Sequence, residues 1–277
     1  EPIKELTDLL NLVNLLLLEG KFYEDNKDYD SALEDYITVL KFANQIRNSE
    51  YQILIQIIVS KIVEQKAYPI LLDFIRIDGI KGGTHKKLLD YLVGYKQSDK
   101  GLEPALREEA KISINTILMP YKFLTDEKFV AGQANKNMVN KMLFAVTKDK
   151  FAEEAKDAYE KLKNTLVSLN NPILENEIAA YKENNPKKIE FQQERLVDDL
   201  KLELKPYGVS FNSLEELRDK GLMAQFAQLK FVKENPKPYA EFMLLLSIPS
   251  LSKIIERYYL KKTELDLLIL GCSIKLF

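Results

Sequence analysis

Apolar residues return every third or fourth position along nearly the whole chain, and little interrupts them. Leu6, Leu9, Leu10, Val13, Leu16 and Leu17 draw one stripe, and Leu33, Tyr36, Ile37 and Leu40 draw the next. That spacing fits the turn of an α-helix and not the alternation of a strand. Ile53, Ile57, Ile58 and Ile62 continue it. This run is rich in β-branched residues, but its length without a turn residue places it on a helix. Only 10 glycines and 10 prolines are spread over 277 residues, too few to punctuate a fold of many short strands. The pattern predicts an all-α protein: an array of helical hairpins, or an irregular solenoid-like bundle.

Local chemistry marks helix ends. Asn171-Pro172, Asn185-Pro186 and Asn235-Pro236 each set an N-cap residue before a proline suited to the first turn. Ser213 and Glu216 have capping-box spacing, and Thr125 precedes the acids Asp126 and Glu127, which favour the positive end of a helix. Gly79, Gly82 and Gly83 predict a loop with Thr84 capping the helix after it; Gly101 and Pro104 predict another start and Pro120 a stop. Together these signals predict helices near 3–26, 30–47, 50–67, 69–77, 85–97, 103–119, 126–146, 149–169, 172–184, 186–204, 213–232, 237–247 and 250–276. The chain reads as one helical domain over 1–277, with a looser division into 1–147 and 148–277.

Composition narrows the chemistry. With 40 basic and 42 acidic residues the net charge is −2, so no overall field attracts a polyanion and nucleic acid is not expected as a partner. A single cysteine, Cys272, excludes an intramolecular disulfide and any multi-cysteine metal site. A single histidine, His85, removes His-rich zinc sites and leaves few routes to Ser-His or Cys-His catalysis. The richest apolar runs, Leu15–Leu18 and Leu267–Leu270, are far shorter than the ~20 residues that span a bilayer. The sequence starts at Glu1. An exported or envelope-associated domain is expected if a signal or anchor once preceded it, and a cytoplasmic one otherwise.

One segment carries a family likeness. Gly20, Tyr23, Ala32 and Tyr36 place a small residue late in one helix, an aromatic soon after, then a small residue and an aromatic in the next. Residues 16–39 so resemble a single tetratricopeptide-repeat hairpin, with Asp28-Tyr29-Asp30-Ser31-Ala32-Leu33 as the turn and second-helix start. The resemblance implies two antiparallel helices in close approach at Gly20 and Ala32. No second copy follows at the family spacing; Ala155 and Tyr159 give only a faint echo. The layout also loosely resembles helical proteins of bacterial envelopes that have no known function, a likeness that implies no activity.

Few residues invite a chemical reading. His85, in Gly82-Gly83-Thr84-His85-Lys86-Lys87, suggests an anion site at a helix start, but the spacing is not that of a P-loop. A solvated loop and cap is the expectation. Glu108 and Glu109 after Arg107, and Glu175 with Glu177, are close in sequence yet do not face each other on a helix. Lys187, Lys188, Lys261 and Lys262 are short basic pairs, expected on solvated faces, where a functional role would be contact with phosphate or acidic lipid. Tyr91, Tyr95, Tyr258 and Tyr259 are candidates to reach a surface. Cys272 is expected to be a buried structural thiol. No catalytic, cofactor-binding or metal-ligating residue is assigned. The expected function is a non-catalytic scaffold or protein-interaction module that binds another protein or peptide. The rivals are a helical carrier with an apolar cavity and an enzyme whose carboxylates converge only in the fold.

Overall fold

The structure, a computed structural model, describes residues 2–49, 53–125, 138–207, 211, 216, 229–247 and 251–277. Among the described residues it holds ten α-helices and no strand, with 89% of residues helical, as the apolar spacing predicts. In chain order the helices are α1 (Pro2–Asp25), α2 (Tyr29–Arg47), α3 (Leu54–Arg76), α4 (Gly82–Gln97), α5 (Glu103–Thr125), α6 (Met138–Lys182), α7 (Lys187–Leu204), α8 (Leu229–Glu234), α9 (Pro236–Ser247) and α10 (Leu251–Leu276). The chain divides into two compact units, Glu1–Glu108 with Lys253–Phe277 and Glu109–Ser252.

The first unit is built on the α1–α2 hairpin. Its turn closes α1 with Lys27 in the left-handed region at φ 62°, and the Asp28 amide donates back to the Tyr23 carbonyl at 2.9 Å, a C-terminal motif that uses otherwise orphaned carbonyls. Asp28 then caps α2, its carboxylate accepting from the Ser31 amide and hydroxyl. A Cβ on Gly20 would stand 2.5 Å from the Tyr36 ring, so only glycine lets the aromatic lie flush on α1. Ala32 is fully buried, and Tyr36 packs edge-on against Phe74 of α3 at 5.5 Å between ring centres. The same core takes Leu88 and Leu92 from α4 and Leu265, Leu268 and Cys272 from α10. Full burial of such side chains contributes ~1.5–3 kcal/mol each.

The second unit packs Leu162 and Leu166 of α6 with Leu200 and Leu204 of α7, Val232 of α8, and Phe242 and Leu245 of α9. Tyr121 and Tyr239 meet edge-on at 6.0 Å. The α6–α7 turn repeats the closing device of the first hairpin: Asn184 has φ 49°, and the Asn185 amide donates to the Ala180 carbonyl at 2.8 Å.

Several expected breaks are absent. α3 runs unbroken through Pro69, α5 through Pro120, and α6 through Pro172. Neither a stop at Pro120 nor a start at Asn171-Pro172 occurs. A proline inside a helix frees the carbonyl four residues earlier. At Pro69 and Pro172 that carbonyl belongs to Gln65 and Ser168, and all four residues are exposed, so water can take the lost bond while packing on the opposite face holds the helix. Gly82 and Gly83 lie inside α4 rather than in a loop, with Lys81 at the N-cap in place of Thr84. α7 is capped by Pro186, one residue later than Asn185. The Asn235-Pro236 start of α9 is as expected. Ser213, Asp126 and Glu127 lie outside the described residues. Among the described residues no helix is long and apolar enough to cross a membrane.

Candidate interaction surface

Most charged side chains in a globular protein stay in water, yet the first unit gathers a group of them in its interior. Arg47 at the end of α2 is 1% exposed and Glu64 of α3 is 0% exposed, with Arg47 Nη1 3.2 Å from Glu64 Oε1. Tyr95 OH of α4 donates to the same oxygen at 2.6 Å, and Lys61 Nζ donates to Glu64 Oε2 at 2.8 Å. Asp99, after α4, lies 3.6 Å from Arg47 Nη1; it accepts from the Gly101 amide at 3.0 Å and from Tyr258 OH of α10 at 2.7 Å. Arg47 stacks over the Tyr95 ring at 4.6 Å, and Lys61 over the Tyr258 ring at 4.8 Å.

Two cations answer two anions, and hydrogen bonds occupy every carboxylate oxygen of Glu64 and Asp99. Burial works against the charge of Asp99, but Arg47, Lys61, the Gly101 amide and the Tyr258 hydroxyl together hold its carboxyl below the usual range. Burial and the Glu64 charge push Tyr68 and Tyr95 well up. Every carboxylate oxygen of the group so accepts within the unit, and Tyr68 and Tyr95 stay in their neutral form. It clasps α2, α3, α4 and α10.

The opposite inversion lies on the outside of the same unit. Val13 and Leu17 turn inward from α1, while Leu12, Leu15, Leu18 and Phe22 point to solvent. Leu18 is 67% exposed and Phe22 65%. Their spacing puts them on one face more than two turns long. Among the residues whose side chains are described, the exposed charges on that face are acidic: Asp8, one turn before Leu12, and Glu19, one turn after Leu15. α10 carries a second outward stripe of Leu260, Leu267, Leu270 and Ile274. Scattered exposed leucines are ordinary, but contiguous apolar strips mark interaction sites.

The other residues singled out by sequence fall as follows. His85 is buried in the first turn of α4, not on a solvated loop, and its Nε2 lies 3.4 Å from the Ile75 carbonyl. Tyr95 and Tyr258 belong to the buried clasp rather than to a surface, while Tyr91 and Tyr259 are partly exposed. Lys261 is buried and paired with Glu264 at 2.6 Å, contrary to the expected solvated face; Lys262 is exposed. Cys272 is buried, and burial pushes its thiol up to about 12. Glu177 is 7% exposed, and burial pushes its carboxyl up to about 8; its neighbour Glu175 is exposed.

Sequence reasoning missed one meeting of carboxylates in the second unit. Lys237 of α9 bridges Glu203 of α7 and the buried Glu241 of α9. Burial and then the Glu203 charge raise the Glu241 carboxyl despite that lysine. Glu203 and Glu241 are far apart in sequence, so no local spacing announces the pair. Among the described residues no group of three or more His, Cys, Asp or Glu side chains is placed to hold a metal ion.

The fold and these surfaces define an all-helical protein with ordered helix–helix packing. No family model, no curated protein and no solved structure matches the chain.

Proposed function

We propose that this protein is a non-catalytic helical interaction module, and that the outer face of α1 docks an amphipathic helix of a partner protein. The exposed stripe of Leu12, Leu15, Leu18 and Phe22 carries the reading. It is the form of surface an apolar helix face fills, through anchors three, four and seven residues apart. Asp8 and Glu19 beside it favour lysine or arginine on the flanks of the incoming helix. The tetratricopeptide-like packing of Gly20, Ala32 and Tyr36 supports α1–α2 as a hairpin of that kind. Hairpins of that kind stack into extended binding surfaces.

The test uses two synthetic helical peptides with the same leucine anchors, one flanked by lysines and one by glutamates, titrated by fluorescence anisotropy. The lysine-flanked peptide is expected to bind more tightly, with a preference that fades as salt rises. Equal binding of both would remove the charge argument, and binding of neither would remove the docking face. Sedimentation showing self-association that is lost in Leu18→Glu would assign the face to a second copy of this chain instead.

A further inference from the structure

The second unit carries a groove of different chemistry, independent of the α1 face. Beside the α6–α7 turn a space of about 660 Å³ is lined by Pro172 and Asn176 of α6 and by Lys187, Lys188, Phe191 and Arg195 of α7, with no carboxylate among the described lining residues. Lys187, Phe191 and Arg195 follow one another at four-residue steps and so share a face of α7. Phe191 is 69% exposed. Lys188 is paired with Glu183 at 2.5 Å, whereas neither the Lys187 nor the Arg195 side chain has an ion pair or hydrogen bond among the described residues. Asn176 Nδ2 donates to Gln192 Oε1 at 2.6 Å, which leaves the Gln192 amide nitrogen as a further donor at the groove. The backbone of the first turn of α7 is not the source of attraction. Its Lys188 and Ile189 amides already donate to the carbonyls of Asn185 and Pro186.

We propose that this groove binds a small phosphomonoester, its phosphate held between Lys187 and Arg195 and its ring or apolar body resting on Phe191 and Pro172. Two unanswered cations on long side chains, ~12 Å apart along the helix at their backbones, can converge on one anion. A phosphate has three acceptor oxygens and takes both cations, while a carboxylate is satisfied by one bidentate arginine. The rest of α7 argues against an extended anionic surface such as a membrane. Glu190, Glu194, Asp198 and Asp199 are all exposed on it, and a flat acidic sheet would meet them, whereas none of the four lines the groove.

The full chain is titrated calorimetrically with phenyl phosphate, inorganic phosphate and benzoate, and sedimented with phosphatidylcholine vesicles with and without phosphatidic acid. Phenyl phosphate is expected to bind saturably, benzoate about tenfold more weakly or not at all. Lys187→Ala and Arg195→Ala each weaken phenyl phosphate about fivefold or more. Phe191→Ala weakens phenyl phosphate and leaves inorganic phosphate unchanged. All three side chains are at the surface, so circular dichroism is expected to show intact folds. Absence of saturation by ~10 mM, indifference to both cation variants, or benzoate binding as tightly as phenyl phosphate overturns the proposal. Capture by phosphatidic-acid vesicles without binding of phenyl phosphate overturns it in favour of a lipid surface.

Discussion

The clasp around Arg47 and the outer face of α1 break the same rule in opposite directions. One puts charges inside, the other puts leucines outside. Inside, the violation is answered within the unit: Arg47 and Lys61 meet Glu64 and Asp99, and Tyr95, Tyr258 and the Gly101 amide fill the remaining acceptors. On α1 nothing among the described residues covers Leu15, Leu18 and Phe22. A costly arrangement with an internal answer belongs to the fold. One without such an answer points to something outside the unit.

The largest effect is expected where the answer is removed. Arg47→Ala leaves Glu64 and Asp99 buried against a reduced positive charge, and a loss of ~3–5 kcal/mol in chemical denaturation is expected. A loss below about 1 kcal/mol would show that the clasp does not hold the helices together, and the contrast would collapse. Next is the hairpin. Gly20→Ala drives a methyl into the Tyr36 ring and is expected to cost ~1–3 kcal/mol. The penalty is expected to shrink when Tyr36→Leu is combined with it, since the two substitutions share one contact.

Glu177 sharpens the comparison as a buried carboxyl whose shift has burial as its cause. Its folded pKa, about 8, is raised above the ordinary glutamate value. Stability is therefore fully present below the unfolded value and is lost as pH rises through the folded one. The denaturation midpoint is expected to fall between about pH 4.5 and pH 8, and Glu177→Gln to flatten that fall. Asp99 has the opposite sign. Its pKa is lowered, so its contribution is present above the unfolded value and lost as pH drops through the folded one. Asp99→Asn is expected to lower the midpoint at neutral pH and to flatten the acid limb. The smallest effect on stability belongs to the exposed stripe: Leu15→Glu and Leu18→Glu are each expected to stay within about 0.5 kcal/mol of the parent.

How much of this the sequence foretold depends on the distance over which each signal acts. The α1–α2 hairpin was legible because its periodicity, its small residues and its capping aspartate lie within a few turns of one another. Helix ends at Pro69, Pro120 and Pro172 were misread because proline is a local breaker, and only tertiary burial on the far face shows why the helix continues. The glycines Gly82 and Gly83 misled in the same way. The clasp was invisible: Arg47, Glu64, Asp99 and Tyr258 come from four distant stretches, and each looks like a surface residue in its own window. Residues Leu12, Leu15, Leu18 and Phe22 were visible as apolar, but a helix rich in leucine on both faces does not tell which face is covered. Of the tyrosines that are candidates to reach a surface, Tyr95 and Tyr258 turn inward, because burying a hydroxyl is tolerable when a carboxylate accepts from it.

The central claim is that the outer face of α1 is a docking surface and not part of the fold. It is tested most directly in the double variant Leu15→Glu/Leu18→Glu, with denaturation midpoint and affinity for the lysine-flanked peptide measured on the same preparation. The account predicts a midpoint close to that of the parent together with peptide affinity weakened at least about thirtyfold, ~2 kcal/mol. Unchanged affinity in a folded double variant would contradict it, as would a collapse of the midpoint, which would make the stripe part of the core.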